Sequence, residues 1–210
     1  MQKPSKYHNN RKSYNWLIYD TGDKWLIEYS KYYKKVLVDL GCGTAPYKEF
    51  FLQYVDKYVG VDWTKTLHNS KADIISDLNK KIEIENDFAD TIISISVMEH
   101  LCEPQTFLNE SYRILKKGGT IILQVPWMWW IHEAPHDYFR YTPYGLKYMF
   151  EKEGYKKIEL KLPKLKDEEN YKIDVYISIK SKLKKCEKET LAIEIRKYIL
   201  EIVSKNGGHL

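Results

Sequence analysis

The chain has 210 residues, 43% hydrophobic and 30% charged, with no excess of glycine or proline, a composition that suits one globular domain with its own core. Its formal net charge is +5 with lysines spread along the chain, which favours an anionic small molecule as partner, with nucleic acid at the basic tract Lys180–Lys185 the lesser alternative. Three scattered cysteines, Cys42, Cys102 and Cys186, argue against both a disulfide framework and a zinc site and suit a reducing compartment. No apolar run reaches the ~18 residues of a membrane span, and no apolar segment follows the basic N-terminus, so a cytoplasmic location is expected.

Trp16–Tyr33 has a helical pattern that Gly22 is expected to split into two short helices. Val36–Leu40 then reads as a strand, followed by a helical stretch at Tyr47–Val55 with Phe50, Phe51 and Tyr54 on one side. Further strands are expected at Tyr58–Asp62, Ala72–Ser76, Thr91–Val97 and Thr120–Pro126. Pro104–Leu115 is the clearest helix, with proline in its first turn and Lys116-Lys117-Gly118-Gly119 as cationic end and stop. Thr142–Glu153 is another, ending at Gly154, and Ile158–Leu162 and Asp174–Ile179 are weaker strands. The tract Lys180–Lys185 reads as a solvated loop, and Glu187–Ser204 as an amphipathic helix.

Most of these strands are unbroken apolar runs, as expected of strands covered on both faces. Alternation with helices predicts a doubly wound, mostly parallel seven-stranded sheet with helices on both faces. The expected organisation is an N-terminal helical lid or edge segment (1–34), a core (35–181) and a C-terminal amphipathic helix (182–210). Ligands of such sheets bind beyond the carboxyl ends of the strands.

There, Asp39-Leu40-Gly41-Cys42-Gly43-Thr44 runs from a strand into a glycine turn. A dinucleotide fingerprint needs a third glycine where this chain has Pro46. A carboxylate just before the turn repels a pyrophosphate and favours a ligand bearing an ammonium group. Asp62, ending the next strand, is placed to accept two ribose hydroxyls.

The blocks VLVDLGCGTAPY, YVGVDW, ADIISDLN and ADTIISISVMEHLCEPQTFLNESYRILKKGGTIILQVP resemble class I methyltransferases dependent on S-adenosylmethionine (SAM). They are closest in kind to the broad group that includes ubiquinone-biosynthesis enzymes (often called type 11), and the resemblance spans Val36 to Tyr155. It implies a Rossmann-like fold, SAM as cofactor and S-adenosylhomocysteine as product. It further implies that Asp39, Gly41 and Gly43, with Cys42 in the same turn, line the methionine part. Asp62 would hold the ribose, with the adjoining Trp63 also a cofactor-binding residue, Asp77 and Leu78 would sit at the adenine, and Ser94 to Ser96 would pass beneath the cofactor. Ala45 departs from the pattern, since many members have a third glycine there. Glu99-His100 reads as structural.

The segment Trp127 to Thr142 is dense in aromatic and ionisable residues and belongs above the carboxyl end of the sheet. Its His132-Glu133-Ala134-Pro135-His136 formally matches a zinc-protease motif, but Pro135 disfavours the helix that motif needs. A divalent ion on His132, Glu133 and Asp137 is the lesser alternative, and no metal is expected. His136 and His132 are candidate bases with Asp137 as orienter. Trp127, Tyr138 and Arg140 are candidate acceptor-binding residues, Arg140 as a clamp for phosphate or carboxylate. HDYFRYT resembles a segment of bacterial methyltransferases associated with cell-surface polysaccharides, implying a sugar, nucleotide-sugar or phosphorylated or phosphoramidate acceptor. Competing expectations are an RNA-modifying methyltransferase and a SAM-binding partner protein without catalysis. Tyr7, His8, Tyr14, Trp16 and Tyr19 could form a lid over the cofactor.

Overall fold

The computed structural model describes residues 16–63, 69–126, 129–161 and 174–180, together with Pro4 and Lys12. The C-terminal helix expected over 182–210, the lid residues Tyr7, His8 and Tyr14, and Trp127 lie outside the described residues.

Seven strands form one sheet: β1 (Val36–Leu40), β2 (Lys57–Asp62), β3 (Ile74–Ile75), β4 (Ala89–Ile95), β5 (Leu115–Pro126), β6 (Ile158–Lys161) and β7 (Asp174–Lys180). Their order is β3-β2-β1-β4-β5-β7-β6. The first five in that order are parallel, and β7 runs antiparallel to both β5 and β6. The chain winds outward from β1 in one direction and from β4 in the other, so the switch point lies between β1 and β4.

Alternation along β1 assigns each residue to a face. Val38 and Leu40 join Val61, Ile92 and Leu123 under α3 (Pro104–Ile114) and α4 (Pro143–Glu153), which contribute Phe107, Leu108, Leu146 and Phe150. Leu37 points the other way, with Ile93 and Ile122, against Trp25, Leu26, Tyr29 and Tyr33 and against Phe50 and Phe51 of α2 (Lys48–Phe51). Helices thus cover both faces.

Three local expectations change. Gly22 does not split the first helix: α1 runs unbroken from Trp16 to Glu28 and continues as a 3-10 turn through Tyr32. Burial of Trp25 and Leu26 outweighs the ~1 kcal/mol that a helical glycine costs. The helix over 47–55 shrinks to Lys48–Phe51, since the chain must turn back into β2. Lys116 to Gly119 belong to β5, not to a helix stop, because Leu115 already pairs with Ala89 and Lys116 Nζ reaches Asp90 Oδ2 at 2.7 Å.

The capping signals hold. Pro104 and Pro143 occupy first turns, the Thr142 side chain accepts from Gly145 N at 3.1 Å, and Gly154 closes α4 at φ +100°. No helix among the described residues is long and apolar enough to cross a membrane.

Candidate functional site

β1 ends at the switch point, where Asp39 lies between Gly60 of β2 and Ile93 of β4. Its carboxyl is buried, 4% exposed, and accepts a 2.6 Å hydrogen bond from the Tyr58 hydroxyl. Burial pushes Asp39 up to about 7; the Tyr58 hydrogen bond works against this rise and the nearby Asp62 charge adds to it. Desolvation, followed by the Asp39 charge, raises the Tyr58 hydroxyl far above its ordinary value, so it stays a donor.

The chain then turns sharply. Gly41 has φ +85°, and a Cβ there would lie 2.3 Å from the Val97 side chain, so glycine is required on both counts. Gly43 has φ +52° with open space where a Cβ would be. Ala45, where glycine is frequent in the resembled family, is also left-handed at φ +52°.

Asp62 fastens this turn. Its Oδ2 accepts from Gly43 N at 2.8 Å and its Oδ1 from Trp63 N at 2.8 Å. An ionised carboxylate has about four acceptor positions, so two remain for further donors. Cys42 is buried beneath the turn, against Gly60. Ser94 is buried and its hydroxyl donates to the Leu40 carbonyl at 2.8 Å, fixing β1 to β4 below the turn. Ser96 is exposed at the carboxyl end of β4, with φ +53°.

Asp77 and Leu78 follow β3. Asp77 Oδ1 accepts from the Asn79 backbone and side-chain amides, each at 3.0 Å. Burial works against ionisation of Asp77, but these bonds and Lys80 outweigh it and hold the carboxyl below its ordinary value. The Leu78 side chain belongs to the core, so contact with an adenine there would involve backbone. Glu110 and Arg113 brace the same region: Arg113 donates to the Ile82 and Ile84 carbonyls and Glu110 accepts from Ile82 N.

The segment 129–142 is stitched onto the 3-10 turn Met98–His100 that follows β4. The Glu99 carbonyl accepts from Tyr138 N and Phe139 N, the Met98 carbonyl accepts from the Tyr141 hydroxyl, and His100 Nδ1 meets the His136 carbonyl at 2.7 Å. Through these bonds the Glu99 backbone and the His100 Nδ1 atom anchor the segment. Burial lowers the His100 pKa, against the pull of the His136 carbonyl.

His132 to His136 form a turn and not a helix, closed by His136 N on the Glu133 carbonyl at 3.0 Å. The zinc-protease geometry is absent, as Pro135 requires. Asp137 accepts from Arg140 through both oxygens, at 2.5 and 2.8 Å, and from His132 N. The Arg140 hydrogen bonds hold the Asp137 carboxyl far below the usual carboxylate range, against its desolvation. Arg140 also donates to the carbonyls of Trp129, Trp130 and Phe139, so its fork braces this loop. That occupancy corrects its reading as an acceptor clamp. Asp137 is likewise committed to Arg140, which removes it from the ligand set His132, Glu133 and Asp137.

The loop reaches Trp63, the residue after Asp62, through His136, whose ring lies edge-on to it with centroids 5.2 Å apart. His136 Nδ1 is 3.1 Å from the Tyr138 hydroxyl. Tyr138 stands exposed beside it, and Trp130 and Phe139 are exposed as well. Sequence reasoning named the turn, Asp62 and both loop histidines, but missed Tyr58 and the anchoring contacts of Glu99 and His100, since both depend on pairings distant in sequence.

Residues 38–123 match a family described as "Methyltransferase domain". That segment is similar to a methyltransferase domain. The match begins in β1 and ends in β5, enclosing the glycine turn, Asp62, Asp77 and Glu99-His100. No curated protein matches the chain by sequence.

Among solved structures, a SAM-dependent methyltransferase from Archaeoglobus fulgidus superposes with a TM-score of 0.62 at 16% identity, covering 83% of this chain and 98% of the other. A SAM-dependent methyltransferase from Mesorhizobium loti gives 0.59 at 13% identity, covering 76% and 97%. An arsenic(III) SAM methyltransferase from Chlamydomonas reinhardtii gives 0.52 at 15% identity, covering 70% and 63%. At such identities the likeness is one of fold. An arsenic acceptor within the set also means that the fold of a methyltransferase domain does not name its acceptor.

Proposed function

We propose that the chain is a SAM-dependent methyltransferase acting on a hydroxyl of a small acceptor. The observation that carries this reading is the turn Asp39–Gly43 tied to Asp62 at the sheet's switch point. The buried Asp39 carboxyl meets the ammonium of the methionine part, Gly41 and Gly43 allow close approach, and the free acceptor positions of Asp62 take the ribose hydroxyls. Trp63 flanks the ribose, and the backbone at Asp77 and Leu78 meets the adenine. Ser94 supports the turn from below and Ser96 borders the cofactor.

Methyl transfer is an in-line displacement. The acceptor oxygen forms a bond to the methyl carbon as the carbon–sulfur bond breaks, and the electron pair leaves on sulfur as the thioether of S-adenosylhomocysteine. The hydroxyl proton goes to a base. His136 is that base in this account, because its ring adjoins Trp63 on the cofactor side, whereas His132 is turned towards Asp137 and His100. Tyr138 positions His136 through its hydroxyl.

The exposed rings of Trp130 and Tyr138 offer apolar faces for a sugar ring, and the net charge of +5 favours a phosphorylated or nucleotide-linked form. A sugar or nucleotide-sugar acceptor of surface-polysaccharide synthesis fits these features. The reading is tested by following S-adenosylhomocysteine formation with panels of sugars, nucleotide sugars, sugar phosphates and RNA. Turnover with a sugar class, lost in His136→Ala, supports it; turnover with RNA alone, or SAM binding without turnover on any acceptor, overturns the acceptor assignment.

A further inference from the structure

One side-chain cluster beside the cofactor turn has no part in the reaction described above. Glu99, His100 and His132 each place a potential ligand atom within 4.8 Å of the others. Glu99 is fully buried, His100 Nε2 lies 3.8 Å from Glu99 Oε1, and the two imidazoles meet edge-on with centroids 4.7 Å apart.

The tautomers follow from what surrounds each Nδ1. His100 Nδ1 faces the His136 carbonyl at 2.7 Å, and a carbonyl only accepts, so Nδ1 carries the hydrogen. His132 Nδ1 faces Asp137 Oδ2 at 3.3 Å and the Trp130 carbonyl at 3.2 Å, both acceptors, with the same consequence. Each ring therefore presents the Nε2 lone pair as its potential ligand. This is how ligating histidines are held in metal sites, with the far nitrogen donating to a carboxylate or a backbone carbonyl.

We propose that Glu99, His100 and His132 bind one divalent transition-metal cation of the zinc class, through the Glu99 carboxylate and the two Nε2 atoms. Two imidazoles and one carboxylate suit zinc and its borderline-soft neighbours better than magnesium or calcium. Three protein ligands leave a fourth position open, as in catalytic rather than structural zinc sites. Ligation at ~2.0–2.1 Å draws the nitrogen and oxygen atoms closer than they now lie, and the movement falls on His132, which belongs to the loop. The His136 carbonyl and Asp137 become the outer partners, so the ion would tie 129–142 to β4 just where the acceptor must enter. Holding an acceptor oxygen in the open position rests on the methyl-transfer reading; binding the ion does not.

Tag-free protein, stripped with chelator, is titrated with Zn²⁺ by calorimetry, and SAM affinity is measured on the same samples. The expected result is one ion per chain, lost in His132→Ala and in Glu99→Gln. Asp137→Asn weakens binding by about 10–100-fold through the outer partner. His136→Ala, whose ring lies outside the cluster, leaves it unchanged. Circular dichroism establishes that each variant is folded, and His132→Ala, on a partly exposed loop, decides the matter if Glu99→Gln does not fold. No Zn²⁺ uptake, or uptake indifferent to His132→Ala, overturns the proposal even when SAM binding is intact. Zn²⁺ uptake by a chain that does not bind SAM leaves the ion site standing and sinks the cofactor reading instead.

Discussion

Asp39→Asn should make the protein more stable at alkaline pH while weakening its hold on SAM. Burial raises the Asp39 carboxyl from 3.8 to about 7, so the folded protein binds this proton more tightly than the unfolded chain does. Stability from the raised pKa is fully present below about pH 4 and is lost as pH rises through about 7. Each factor of ten in proton affinity is about 1.4 kcal/mol, so the loss is on the order of 4 kcal/mol for this carboxyl alone. An asparagine avoids that loss and keeps an oxygen to accept from Tyr58, though its amide hydrogens enter a buried site. After allowing ~1–2 kcal/mol for that mismatch, the variant should exceed the parent by about 2–3 kcal/mol at pH 8 and show little advantage at pH 5. Urea unfolding at the two pH values measures the difference. A parent and variant whose stabilities stay parallel across this range would show that Asp39 is not a strained buried acid. Calorimetry supplies the other half: the parent's affinity for SAM should fall about tenfold per pH unit below 7, because the ammonium needs the ionised carboxylate, and Asp39→Asn should remove this dependence.

Further perturbations address the turn and the loop. Asp62→Ala removes both the anchor of Gly43 N and the ribose acceptors, so SAM affinity should drop by about 100-fold or more by calorimetry, given ~1.5–3 kcal/mol per charge-assisted bond. Ala45→Gly relieves a left-handed alanine and should raise stability by roughly 0.5–1 kcal/mol in denaturant titration with SAM affinity preserved; destabilisation would contradict the strained turn. His136→Ala should lower kcat by about 10²–10⁴-fold while SAM affinity stays within about twofold, and equal losses in both would make it structural. Arg140→Ala should destabilise the loop segment, seen as increased proteolysis within 129–142, and an unaffected loop with a raised acceptor KM would restore Arg140 as an acceptor contact.

The sheet was legible because its strands are covered on both faces. The runs at Val36–Leu40, Tyr58–Asp62 and Thr120–Pro126 are apolar for that reason, and every expected strand appears, with ends shifted by a few residues. The helix ends were legible where chemistry marks them, at Pro104, Thr142 and Gly154. Gly22 misled because its cost is local, whereas the burial of Trp25 and Leu26 that overrides it comes from the sheet. At the site, the glycine turn and Asp62 were visible through their positions at strand ends. The roles of Tyr58 and Glu99 were not, because each depends on a partner distant in sequence, and that of Arg140 was not, because its bonds depend on how the loop folds. Arg140 read as a ligand clamp while its fork is filled by Asp137 and three carbonyls. His132 and His136 look equivalent in sequence, yet one ring turns to Asp137 and His100 and the other to Trp63.

The central claim is that the turn from Asp39 to Gly43, fastened by Asp62, is a SAM site. Isothermal titration of the full chain with SAM and with S-adenosylhomocysteine tests it most directly. The account predicts one molecule bound per chain and loss of binding in Asp62→Ala while the variant remains folded. A folded parent chain that binds neither compound, or an Asp62→Ala variant that binds as the parent does, would contradict it.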